Sequence, residues 1–140
     1  MRVVLDTNVL VSGLFWQGAS HALIDHITQG TLTLVTSPIL LAELNETLAK
    51  PRLAAILKRS HTAPERVLAD LQRLAELIDP PPLTEPVCRD PDDNHVLACA
   101  FAANAELIIT GDRDLLVLHP WRDIAIVRPA DALQLIERSA

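Results

Sequence analysis

The 140 residues carry a formal charge of −6; 49% are hydrophobic and only 3% aromatic, so the core must be aliphatic and the length suits one domain spanning 1–140. Asp6 interrupts the amino-terminal apolar run, and the longest later one, Val96 to Ala103, is far below the roughly 18 residues that span a bilayer, so a signal peptide and a membrane span are excluded and a cytoplasmic protein is expected. Cys88 and Cys99 are too few and too unpatterned for a zinc site or a disulfide framework, and each is expected as a reduced, buried or half-buried thiol.

Val3, Val4 and Leu5 read as a short parallel strand, because β-branched residues without polar alternation suit a sheet covered on both faces. Asp6 then sits at its carboxyl end, the edge of an open α/β sheet where ligands bind. The competing reading is an aspartate that caps the following turn. Ser12-Gly13 and Gly18 bracket a loop carrying Phe15 and Trp16, and Ser20 caps a helix to about Gln29 with Gly30 as its stop. Leu32 to Val35 is a second strand.

Ser37-Pro38 marks a helix start, Ser as N-cap and Pro at the first helical position, and the helix ends before Pro51. On it Glu43 lies a step of four from both Ile39 and Thr47, near the apolar stripe, whereas Glu46 is better placed for solvent. Pro51 to Arg59 reads as a short basic helix. Thr62-Ala63-Pro64-Glu65 matches a capping box that opens a longer helix to about Ala75. Leu77-Ile78 is a brief strand, and Pro80-Pro81-Pro82 forces an extended connection.

In Asp90-Pro91-Asp92-Asp93-Asn94-His95, either Asp92 or Asp93 caps a strongly apolar helix. Capping explains one acid but not the crowding of three, because like charges this close repel and call for a cation. Leu107 to Thr110 is another buried strand ending in acids, Gly111-Asp112-Arg113-Asp114. Ile124 to Val127 is the last strand, and Pro129 opens a closing helix. Strands alternating with helices from end to end predict a parallel sheet covered by helices on both faces.

Charge is unevenly spread. Lys50, Arg52, Lys58, Arg59, Arg66 and Arg73 stand against only Glu65 and Asp70, while seven acids between Glu85 and Asp114 stand against two arginines. An acidic centre beside a basic rim suits a metal-dependent enzyme acting on a polyanion; ordinary solvated helix faces are the plainer reading. Carboxylates without a matching His or Cys cluster are hard donors for Mg²⁺ or Mn²⁺, ions that promote in-line displacement at phosphorus. Of the five histidines only His95 adjoins the acids, as a substrate contact or simply a polar helix residue.

Four stretches together resemble the PIN-domain ribonucleases, and among them the VapC-type toxin components of toxin–antitoxin pairs: Val4-Leu5-Asp6-Thr7-Asn8-Val9-Leu10, Ser37-Pro38 with Leu41-Ala42-Glu43-Leu44, Asp90-Pro91-Asp92-Asp93-Asn94 with Leu97-Ala98, and Ile108-Ile109-Thr110-Gly111-Asp112-Arg113-Asp114-Leu115. The resemblance covers essentially the whole chain. It implies a PIN-like three-layer α/β fold, with a central parallel sheet of four to five strands and helices on both faces. It implies that Asp6, Glu43, Asp93 and Asp112 converge as an acidic quartet binding Mg²⁺ or Mn²⁺, with Asn8, Thr110 and Asp114 in support. It also implies cleavage of single-stranded RNA leaving a 5′-phosphate, a cognate antitoxin, and a homodimer. The third acid is open in register: distance to Val96 and Leu97 favours Asp93, a shift of one gives Asn94, and Asp92 is the next choice.

Two other readings compete. A haloacid-dehalogenase-type phosphatase also places an Asp after its first strand, but it wants a second acid two positions on, where this chain has Asn8. A catalytically weak module that only holds RNA or an antitoxin is the other, encouraged by Asn94 and by the negative charge.

Overall fold

In the computed structural model, which describes residues 1–139, the first apolar run becomes β1 (Arg2–Leu5), the middle strand of a five-stranded parallel sheet. The others are β2 (Thr33–Thr36), β3 (Glu76–Leu77), β4 (Leu107–Ile109) and β5 (Ala125–Val127), in the order β3-β2-β1-β4-β5. From β1 the chain builds outward through β2 to β3, then returns to the other side for β4 and β5. Strand order therefore reverses beside β1, and the carboxyl ends of β1 and β4 open onto one crevice.

Eight helices cover the sheet among the described residues: α1 (Thr7–Phe15), α2 (Ala19–Thr28), α3 (Pro38–Leu48), α4 (Pro51–Arg59), α5 (Pro64–Leu74), α6 (Pro91–Ala102), α7 (Arg113–Leu116) and α8 (Pro129–Ser139). Alternate residues of the strands face opposite layers. Val3, Leu5, Leu107 and Ile109 pack with apolar residues of α1, α2, α3, α4 and α8, whereas Val4, Ile108 and Ile126 pack with Val96, Leu97 and Ala100 of α6 and Leu115 of α7. The fold is the three-layer α/β arrangement expected, with five strands. No helix among the described residues is long and apolar enough to cross a membrane. Cys88 and Cys99 are free, the second fully buried, and burial pushes its thiol up to about 12.

The local readings need correction at the helix starts. The stretch from Ser12 to Phe15, expected in a loop, is the end of α1, which runs from Thr7 to Phe15, and the following helix is preceded by Gly18 at its N-cap, not by Ser20. Val9, Val11 and Gly13 are poor helix formers, but Val9, Leu10 and Val11 are buried, so packing overrides propensity. Gly13 is needed for that packing: a Cβ there would lie 2.6 Å from Cγ1 of Ile24 and 2.7 Å from the carbonyl of Ser20. The N-cap of α6 is Asp90, not Asp92 or Asp93, and that of α5 is Ala63, so Thr62 forms no capping box. The reason is the same in both. Proline lacks an N–H and takes the first helical position, so the cap is the residue just before it.

Candidate metal centre

Each acid is held at the crevice by the element that carries or adjoins it. Asp6 ends β1 and is the N-cap of α1: its Oδ1 accepts a 2.9 Å hydrogen bond from the Val9 N–H, and its Oδ2 accepts one from the Thr110 hydroxyl. The capping role and the site position are thus both real, one oxygen for each. Thr110, fully buried, also accepts at 3.0 Å from the Asp112 N–H, so one hydroxyl couples the ends of β1 and β4. Asp112 caps α7, its Oδ1 accepting from the Asp114 N–H at 2.9 Å. Glu43 reaches in from α3, and Asp93 from the first turn of α6, where acids are favoured by the unpaired N–H groups.

Asp6, Glu43, Asp93 and Asp112 line a single concave pocket of about 270 Å³, together with Thr7, Asn8, Glu46, Thr47, Lys50, Asp90, Asp92 and Val96. The tightest group among the described residues is Asp93, Asp112 and Asp114, whose carboxylate oxygens lie within 4.8 Å of one another. Asp114 is exposed, and so is Asn8. Asn94 faces elsewhere. Its Oδ1 accepts from the Val87 and Cys88 N–H groups at 2.9 and 2.8 Å, and its Nδ2 donates to the Cys88 carbonyl at 2.8 Å, so its amide is fully used in holding the preceding loop. His95 lines a different cavity with Pro82, Leu83 and Ala98.

Several residues of this pocket escaped the sequence reading. Glu46, Thr47 and Lys50 stand three, four and seven positions after Glu43, the spacing of one helical stripe, and that signal was available. Asp90 sits on the rim while capping α6, and Thr7 lines the pocket beside Glu43 and works against the rise of its pKa.

The electrostatics are those of crowded, dehydrated acids. Burial first, and then the charges of Asp112 and Asp90, raise the Asp93 carboxyl from 3.8 to about 7. Burial also raises Asp6, opposed by its bonds from Thr110 and Val9, and it raises Glu43 together with the charge of Asp92. Oδ2 of Asp93 is buried with no hydrogen-bond partner, a state that costs about 1–3 kcal/mol or more for a charged oxygen. An unpartnered carboxylate oxygen in a pocket lined by several acids fits a hard divalent cation; histidine and cysteine are missing from the pocket lining, which does not fit zinc.

Comparison with solved structures finds the same fold in VapBC2 from Rickettsia felis bound to a DNA fragment from their promoter, at 16% identity and a TM-score of 0.59, covering 90% of this chain and 97% of that one. FitAcB from Neisseria gonorrhoeae is similar at 20% identity and a TM-score of 0.54, covering 91% and 98%. No curated protein matches the chain. The family model of the PIN domain matches residues 2–114, which include every acid of the pocket, and the chain belongs to the PIN domain family.

Proposed function

We propose that this protein is a metal-dependent endoribonuclease, one PIN domain over residues 1–140, that hydrolyses phosphodiester bonds of single-stranded RNA with Asp6, Glu43, Asp93 and Asp112 as its metal-binding and catalytic acids. The observation that carries the reading is the meeting of these four side chains, drawn from β1, α3, α6 and the end of β4, in one pocket. Mg²⁺ or Mn²⁺ bound there supplies charge neutralisation at the scissile phosphate and a lowered pKa for water.

The chain's own residues prepare that chemistry. Two hydrogen bonds lock the Asp6 carboxylate in one orientation, so no rotamer search is needed when a cation arrives. Asp93 gives up a proton close to neutrality before both its oxygens can act as donors. Asp114 adds a third carboxylate beside Asp93 and Asp112, and the exposed amide of Asn8 is free to orient substrate at the pocket mouth. Asp92, exposed on the rim, adds negative charge without burial.

The role of toxin, a cognate antitoxin and a homodimer are what the sequence resemblance implies, and a cytoplasmic location is the expectation from the short apolar runs; the fold shared with VapBC2 supports the first two. The binding-only alternative rested on Asn94 and on the negative charge; the engagement of the Asn94 amide with the 87–88 backbone supports the reading that takes Asp93 as the third acid. Family membership leaves the phosphatase reading without support. Purified protein is expected to cut single-stranded RNA only with Mn²⁺ or Mg²⁺, leaving 5′-phosphates, and Asp6→Asn is expected to abolish cutting. Metal-independent cutting, or cutting that survives Asp6→Asn, would overturn this assignment.

A further inference from the structure

The acidic pocket explains hydrolysis but repels the polyanion it is meant to cut, so the strand needs cations at the pocket mouth. Of the basic residues between Lys50 and Arg73, Arg66 and Arg73 are already matched, Nε of one lying 3.4 Å and Nη2 of the other 2.6 Å from the same Oδ1 of Asp70. Lys50 is placed differently. It is the N-cap of α4, it lines the acidic pocket itself, and it makes no ion pair among the described residues.

Two positions further on, the Arg52 guanidinium lies 5.2 Å from the ring centroid of Trp16. Two residues of chain span at most about 7 Å between Cα atoms, so Arg52 follows Lys50 closely on the first turn of α4. Trp16 closes α1, the helix that Asp6 starts, and it remains 40% exposed in a chain with only two tryptophans. Helix α1 is nine residues long, so its far end lies about 14 Å from the Asp6 cap, a few nucleotides of extended strand. Cations beside an open indole are the two elements by which proteins hold single strands without reading their sequence.

We propose that Lys50 and the Arg52–Trp16 pair form the subsite for the single strand flanking the scissile phosphate. Lys50 pairs with a backbone phosphate at the pocket mouth, Arg52 with a neighbouring one, and a base stacks on the indole of Trp16. The inference rests on the nuclease reading for the identity of the polyanion, and binding tests it apart from cutting.

The test is the affinity of full-length protein for a short labelled oligouridine, read by anisotropy in the Asp6→Asn background, which keeps the RNA intact. Lys50→Ala and Trp16→Ala are each expected to weaken binding about tenfold, and Lys50→Ala to flatten the salt dependence of log K by about one. Lys50→Arg and Trp16→Phe restore binding, and Arg66→Ala, already paired with Asp70, leaves it within about twofold. If Trp16→Ala fails to fold, Lys50→Ala and Trp16→Phe decide. Unchanged affinity in the Lys50→Ala and Trp16→Ala proteins, or no RNA bound before substitution, overturns the subsite. Binding that depends on Lys50 and Trp16 without any cutting by the unsubstituted chain would sustain the subsite and sink the nuclease. Cutting with an unaltered KM by Lys50→Ala and Trp16→Ala proteins that retain Asp6 would do the reverse.

Discussion

Oδ2 of Asp6 accepts a hydrogen bond from the hydroxyl of Thr110, 104 positions along the chain, and the same hydroxyl oxygen accepts from the Asp112 N–H at 3.0 Å. One side chain thus orients two of the four acids. Thr110→Val keeps the shape but removes the donor and the acceptor together. It is expected to cost about 1–3 kcal/mol in denaturant unfolding and, by deleting a bond that lowers the Asp6 pKa, to push that carboxyl higher still and weaken metal binding. Thr110→Ser should recover most of both, whereas a Thr110→Val protein with unaltered stability and metal affinity would show the bond to be incidental.

The pocket acids make the metal-free protein sensitive to pH in an unusual direction. A carboxyl whose folded pKa is raised binds its proton more tightly when folded, so its stabilisation is complete below its unfolded value and lost as pH climbs through the folded one. For Asp93 that window runs from 3.8 to about 7, and Asp6 and Glu43 are raised in the same sense. In chelator, unfolding free energy should fall by on the order of 2 kcal/mol between about pH 4 and pH 7, the full shift being discounted for solvent screening, and then level off. Most of that slope should vanish in Asp93→Asn, measured by urea titration at several pH values. An identical slope in the two proteins would assign it to other groups.

Asn94 and Asp93 are adjacent but are predicted to fail in different ways. Asn94→Ala leaves the Val87 and Cys88 N–H groups without their acceptor, and should cost about 1–3 kcal/mol of stability while cation affinity falls only modestly. Asp93→Asn removes a buried charge from an acidic cluster, so the metal-free protein should melt higher while metal-dependent cutting disappears. Thermal melts with and without Mn²⁺ separate the two patterns, and exchanged patterns would move the third acid to Asn94.

Gly13→Ala tests the packing of the last turns of α1 against α2. The added Cβ would meet the Ile24 side chain at 2.6 Å and the Ser20 carbonyl at 2.7 Å, and backbone cannot yield cheaply. A loss of about 1–3 kcal/mol is expected by denaturant unfolding, although alanine is the better helix former. Neutral or improved stability would mean that α1 and α2 move apart freely.

Much of this was readable in advance because apolar runs and sites are coupled in a parallel sheet. Strands without polar alternation ended in acids twice, after Leu5 and after Ile109, and strand order placed both ends at one crevice. The helix over residues 7–15 was not readable, since Val9, Val11 and Gly13 favour it only through burial against partners that are distant in sequence. Two caps were misplaced by one to three positions because Pro64 was read inside a capping box and Pro91 as lying before the helix, whereas each stands at the first helical position. The engagement of the Asn94 amide was not readable, because only a three-dimensional loop reveals that residues 87 and 88 occupy it. The stripe from Glu43 through Thr47 to Lys50 was visible at helical spacing, but a lysine among acids carries no meaning until they share a pocket.

The most direct measurement of the central claim is a calorimetric titration of Mn²⁺ into the metal-free protein near pH 7, in buffers of different ionisation heat. Saturable binding is expected, accompanied by proton release from the raised carboxyls, with affinity lowered at least about tenfold in Asp93→Asn. Absence of saturable binding, or an affinity that Asp93→Asn leaves intact, would contradict the assignment of this pocket to a divalent cation.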